Sequence, residues 1–132
     1  MTHHKSLFEI FTNQGIDFFA GVPDSMLAEF SRELEVNSKK IKHLICPNEG
    51  SAIASAIGYY AATKGIAVVY MQNSGLGNAI NPLVSIAHSE VYQIPILLII
   101  GWRGEPGFKD EPQHVKQGQI TPDQLDLLNI PY

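Results

Sequence analysis

A carboxylate at the start of a helix can exchange a proton with whatever lies at that helix end, and Glu49 is so placed. Ahead of it residues 41–46 read as a short strand that Pro47 ends. Behind it the residues are small or apolar, with Gly50, Ala54 and Gly58 spaced at four, so that one helix face can lie close to a neighbouring backbone. The helix dipole favours negative charge at this end, and in open α/β sheets ligands bind at the carboxyl ends of strands. A first-turn charge with no further role is the plainer reading of an isolated glutamate in this position. Further along, Arg103, Lys109, His114 and Lys116 offer cationic donors to an anion, while Asp24, Ser25, Asn73 and Ser74 offer polar groups and helix-start amides. Taken singly, each of these also reads as a solvated loop residue.

The elements that would position them alternate. Leu7, Phe8, Ile10 and Phe11 mark one face of a first helix, stopped at Gly15. Residues 16–22 form a nearly continuous apolar run, as expected of a strand covered on both faces. Asp24 or Ser25 caps a second helix whose buried stripe is Met26, Leu27, Phe30 and Leu34. After the Glu49 helix, closed at Lys64 and Gly65, residues 66–71 make a third strand and residues 72–78 a polar, glycine-containing loop. Residues 79–88 read as helix, with Pro82 tolerated in its first turn, and residues 94–100 as a fourth strand. Residues 101–118 hold four glycines, two prolines and seven charged or histidine residues, and read as a long loop of the kind that carries function. Thr121 and Pro122 then read as the cap and first residue of a last helix, and residues 129–132 as a helix stop with a strand beginning. Strand alternating with helix predicts an α/β fold, an open parallel sheet covered by helices on both faces. In that fold Asp24 and Ser25, Glu49, residues 72–78 and residues 102–114 all fall at one carboxyl edge.

The 132 residues amount to one domain, and 45% hydrophobic with 17% charged residues is the composition of an ordinary globular protein. A net charge of −4 argues against nucleic acid, which demands a basic face. No apolar run approaches the roughly 20 residues of a membrane span. Residues 1–5 lead into an amphipathic helix rather than a signal-peptide core, which makes a cytoplasmic location the expectation. Cys46 is the one cysteine; it excludes an internal disulfide and reads as a buried, inert thiol. His3 and His4 read as a chain terminus, His43 and His88 as surface or boundary residues, Trp102 as an apolar cover over a strand end, and Lys39, Lys40 and Lys42 as solvated.

The string NEGSAIASAIGYYAATKG, residues 48–65, resembles the glutamate helix of the pyrimidine-binding domain in thiamine-diphosphate enzymes. GVPDS at 21–25, VYMQNSGLGNAINPL at 69–83, IGWRGEPG at 100–107 and KDEPQH at 109–114 extend the likeness over nearly the whole chain. Within these enzymes they resemble the phosphonopyruvate and sulfopyruvate decarboxylases. The resemblance implies a pyrimidine-binding domain over residues 1–132, truncated at its C-terminal edge, that serves decarboxylation of 3-phosphonopyruvate to phosphonoacetaldehyde and carbon dioxide. The sulfopyruvate alpha subunit is the alternative, and a non-catalytic α/β module that binds a partner is the alternative of another class.

By motif, Glu49 matches the glutamate that hydrogen-bonds the aminopyrimidine and favours the imino form that removes the thiazolium proton. The resemblance further implies cofactor contacts at Asn73, Ser74 and Gly75, and binding of a small 2-oxo acid at Asp24, Ser25, Arg103 and His114. The family holds the diphosphate and Mg²⁺ through a Gly-Asp-Gly sequence, which does not occur here, nor does a GxxxxGK[ST] or GxGxxG loop. No metal ligand is therefore expected in this chain. A diphosphate-binding domain or subunit is expected as its partner, within a homo-oligomer.

Overall fold

The computed structural model describes residues 6–132; His3 and His4 lie outside the described residues. Helix α1 (Leu7–Asn13) opens on a capping box, in which the Ser6 hydroxyl accepts from Glu9 N–H while the Glu9 carboxylate accepts from Ser6 N–H. Strand β1 (Phe18–Gly21) follows, then a 3₁₀ turn (Ser25–Leu27) capped by Asp24, and α2 (Ala28–Val36). Next come β2 (Lys42–Ile45), α3 (Glu49–Thr63) and β3 (Ala67–Gln72), with Lys64 at φ 63° closing α3. A second 3₁₀ turn (Asn73–Gly75) leads into α4 (Leu76–Pro82) and a π turn (Leu83–Ala87). Strand β4 (Ile96–Gly101) and α5 (Pro112–Leu127) complete the order.

The four strands pair in parallel in the order β2-β1-β3-β4, with Gly21 of β1 beside Ile45 of β2 and Tyr70 of β3. Two buried clusters flank the sheet. On one face Ala52, Ile53 and Ala56 of α3, Leu76 and Ala79 of α4 and Leu125 of α5 pack on Ala20, Val69 and Met71. On the other, Phe8 of α1 and Phe30 and Leu34 of α2 pack on Phe19, Val68 and Tyr70. Both faces are thus covered, as the run of apolar strands requires. The order runs outward from β1 to β2 and then back past β1 to β3, so the loops after β1 and β3 diverge at a switch point, where the carboxyl edge opens.

Three local expectations are corrected. The polar stretch 72–78 is not a loop: the chain turns into a 3₁₀ turn directly after β3 and is helical from Leu76. Pro82 accordingly ends α4 rather than starting it, and the missing N–H at Pro82 leaves the Asn78 carbonyl without its usual partner four residues on. The third correction is larger. Residues 112–118 are helical, so the loop after β4 ends at Glu111, and Thr121 and Pro122 lie inside α5. Pro112 fits the first helical position. Pro122 is tolerated because the carbonyl it leaves free, that of Gly118, accepts the Trp102 indole N–H at 2.9 Å. Asn129, at φ 53°, stops α5, and residues 130–132 carry no strand.

Candidate functional site

Asn48, in extended conformation, caps α3: its side-chain oxygen accepts from Ser51 N–H at 2.9 Å. Glu49 is then the first helical residue, half-buried, at the carboxyl edge beyond β2. Its Oε2 accepts from Asn78 Nδ2 at 2.9 Å. On the other side lies Gly75, where an added Cβ would stand 2.5 Å from both Cδ and Oε1 of Glu49. Gly75 has φ −74° and ψ −15°, ordinary helical values, so glycine serves here for space and not for backbone freedom. The carboxylate of β2's loop thus reaches over β1 to the turn after β3, spanning the switch point.

Asn73, fully buried, sits beneath this edge. Its Nδ2 donates to Arg103 O at 2.8 Å and to Thr121 Oγ1 at 2.9 Å, while its Oδ1 accepts from Arg103 N–H at 3.2 Å. Gln117 Nε2 donates to the Asn73 carbonyl at 3.1 Å. Both amide protons are spent on the protein, so the side chain ties the turn after β3 to the loop after β4 and to α5. Ser74, next along, is exposed at the edge.

The residues read from the sequence as substrate contacts do come together, around a carboxylate that the sequence reading had not singled out. Asp110 Oδ2 accepts from Arg103 Nε at 2.9 Å and from Gly104 N–H at 2.8 Å. Its Oδ1 accepts from Arg103 Nη2 at 2.6 Å, Glu111 N–H at 2.7 Å and His114 Nδ1 at 3.0 Å. The guanidinium and these further donors hold the Asp110 carboxyl far below the usual carboxylate range, and the same pairing raises the Arg103 pKa. Arg103 Nη1 also donates to Ser25 Oγ at 3.2 Å, and Asp24, whose carboxylate accepts from Met26 N–H at 3.2 Å, lies against Gly101. Arg103 and Asp110 cancel in charge and Asp24 adds a negative one, so the cluster is a closed ion-paired knot with no excess positive charge rather than a bare cationic pocket. Lys109 and Lys116 are exposed.

Asp110, Asn78, Thr121 and Gln117 are the residues that sequence reasoning missed. A signal existed for Asp110, four residues before His114 on what proves to be one helix start. None existed for Asn78, whose role depends on where α4 meets α3. Cys46 is buried, as expected; His43, half-buried, hydrogen-bonds Tyr70 through Nε2 at 2.9 Å; and Lys42, exposed as expected, pairs with Asp17 at the surface. Among the described residues no group of three or more His, Cys, Asp or Glu could hold a metal ion, and no helix is long and apolar enough to cross a membrane.

An open parallel sheet with a glutamate at a helix start over its switch point defines the class, an α/β ligand-binding domain. The chain belongs to the thiamine pyrophosphate enzymes: the family of their N-terminal TPP binding domain matches residues 1–127. Phosphonopyruvate decarboxylase of Streptomyces viridochromogenes is 41% identical over 119 residues, 90% of this chain and 29% of that protein. Sulfopyruvate decarboxylase subunit alpha of Methanococcus maripaludis is 35% identical over 132 residues, 100% of this chain and 76% of that one. The crystal structure of benzoylformate decarboxylase from Polynucleobacter necessarius matches with a TM-score of 0.61 at 22% identity, over 73% of this chain and 17% of that chain, and shows the fold alone. The chain spans 29% of the length of the phosphonopyruvate decarboxylases it matches.

Proposed function

We propose that residues 1–132 are the pyrimidine-binding domain of a thiamine-diphosphate-dependent decarboxylase of 3-phosphonopyruvate. The observation that carries this reading is Glu49 itself, a half-buried carboxylate at a helix start, held from one side by Asn78 and given room on the other by Gly75. The arrangement fits the aminopyrimidine of the cofactor: the space that a Cβ at residue 75 would fill is left to the carboxylate, and Ser74, one residue before Gly75, is exposed. Thiamine diphosphate supplies, when bound, the electron sink that no side chain can provide. Glu49 would hold and return a proton at Oε1, Gly75 would keep that oxygen clear, and Ser74 would offer a further hydrogen bond. Asn73, its side chain committed beneath the edge, would act by fixing the turn that bears Ser74 and Gly75.

Mg²⁺ and the diphosphate are assigned to a partner domain or subunit, a reading supported by the missing Gly-Asp-Gly and by relatives that are themselves named as an alpha subunit. A homo-oligomer in the cytoplasm is the assembly we assign. For the acid group of the substrate, Arg103 and His114 offer only what Asp110 leaves over: the remaining guanidinium hydrogens and the second ring nitrogen of His114. Sulfopyruvate is the competing substrate, supported by the alpha-subunit relative matched along the entire chain.

The test is Glu49→Gln in the complete enzyme, this chain with its diphosphate-binding partner, assayed on phosphonopyruvate, sulfopyruvate and pyruvate. Turnover of the preferred acid falls by about 10²- to 10⁴-fold with folding intact, the loss typical of a missing acid–base group. Near-normal turnover would leave Glu49 structural and favour the partner-binding module.

A further inference from the structure

We infer that Asn78 is a positioning residue for Glu49, its side-chain amide holding Oε2 so that Oε1 is the oxygen left to face a ligand. The inference rests on the decarboxylase reading and adds a residue to it. Three features place Asn78 there. Gly50, one residue after Glu49, lets α4 come close: a Cβ at residue 50 would stand 3.0 Å from the Asn78 carbonyl oxygen. Pro82 strips that same carbonyl of its helical partner, so the backbone of Asn78 is turned to the first turn of α3 rather than wholly into its own helix. Gly75, one helical turn before, opens the place the Glu49 side chain then fills. With the backbones fixed this way, the Asn78 amide reaches Oε2 at 2.9 Å.

The residue type matters as much as the place. A carboxylate with two equivalent oxygens can turn about its last bond, and a single donor on one oxygen removes that freedom. Among the described residues no ion pair involves Glu49, so the donor that fixes it is neutral and leaves its charge uncompensated for a cofactor proton to meet. Aspartate at 78 would set carboxylate against carboxylate, and alanine would free the oxygen altogether.

The test has two readouts. In the 132-residue chain labelled with ¹⁵N-asparagine, the Asn78 side-chain amide signal should shift with pH as Glu49 titrates, and the shift should vanish in Glu49→Gln. In the complete enzyme Asn78→Ala should lower kcat by about tenfold, the effect of one charge-assisted hydrogen bond, with KM for the 2-oxo acid within about twofold. In the Glu49→Gln background the same change should cost nothing further. Losses that multiply across the two sites, or an amide signal indifferent to pH, would overturn the inference. Should Asn78→Ala fail to fold, Asn78→Asp keeps the shape and should move the acidic limb of the kcat profile to higher pH, because two facing carboxylates share a proton; an unmoved limb overturns it equally. Normal turnover in Glu49→Gln alone is a failure of the catalytic reading of Glu49, and the amide titration then decides the pairing by itself.

Discussion

Arg103 and Asp110 meet as a two-toothed ion pair, Nε to Oδ2 at 2.9 Å and Nη2 to Oδ1 at 2.6 Å, and close the loop between β4 and α5 upon itself. An ammonium cannot reproduce that fork. Arg103→Lys in the complete enzyme should therefore lower turnover of phosphonopyruvate and of pyruvate together, by roughly 10- to 100-fold, as the edge loses its geometry. Parallel kinetics on the two acids check this. A loss confined to phosphonopyruvate would show the guanidinium binding the substrate's acid group directly.

Gly75 adopts helical angles that alanine accepts readily, so Gly75→Ala isolates the effect of space. The new Cβ would meet the Glu49 carboxylate and force it aside. Circular dichroism and the melting temperature should stay near those of the parent, while turnover falls by about 10²-fold, the scale of a misplaced catalytic group. Unchanged turnover would show that Glu49 has room to move without consequence.

Tyr70 is fully buried, and burial pushes its hydroxyl pKa up to about 12, while burial lowers that of its hydrogen-bond partner His43. The fold favours neutral Tyr70, whereas the unfolded chain ionises it near 10. The contribution is thus complete below about pH 10 and is lost as pH rises toward about 12. Tyr70→Phe should cost about 1 kcal/mol at pH 7, where a hydrogen bond is removed. Urea titrations of both proteins should show that gap narrowing at pH 11; a gap independent of pH would contradict the assignment.

Among the described residues no group of three or more His, Cys, Asp or Glu could hold a metal ion, and the sequence carries no Gly-Asp-Gly. Titration calorimetry of the chain alone with thiamine diphosphate and magnesium should give no micromolar binding, and addition of the diphosphate-binding partner should restore it. Micromolar affinity in the chain alone would place the whole cofactor site within it.

The sequence by itself determined the architecture. Apolar runs near 16–22, 66–71 and 94–100 could be buried only in a sheet covered on both faces, and the local signal at Lys64 sets the end of α3 where the structure has it, while Asp24 caps the 3₁₀ turn ahead of α2 rather than α2 itself. It also determined the place of Glu49, because a strand end at Pro47 and an Ala-rich helix are local features. What only the tertiary structure decided is which partners the edge residues have. The Thr121-Pro122 pair reads locally as a helix start, yet it lies within α5 because Trp102 takes the carbonyl that Pro122 frees and Asn73 takes the Thr121 hydroxyl. Arg103 reads locally as a free cation, yet Asp110 claims its fork. Asn78 carries no local signal at all. In each case the deciding contact joins residues brought together by the crossing of separate elements. Propensity and spacing act only within a few residues, and so they cannot report which buried donor will find which acceptor.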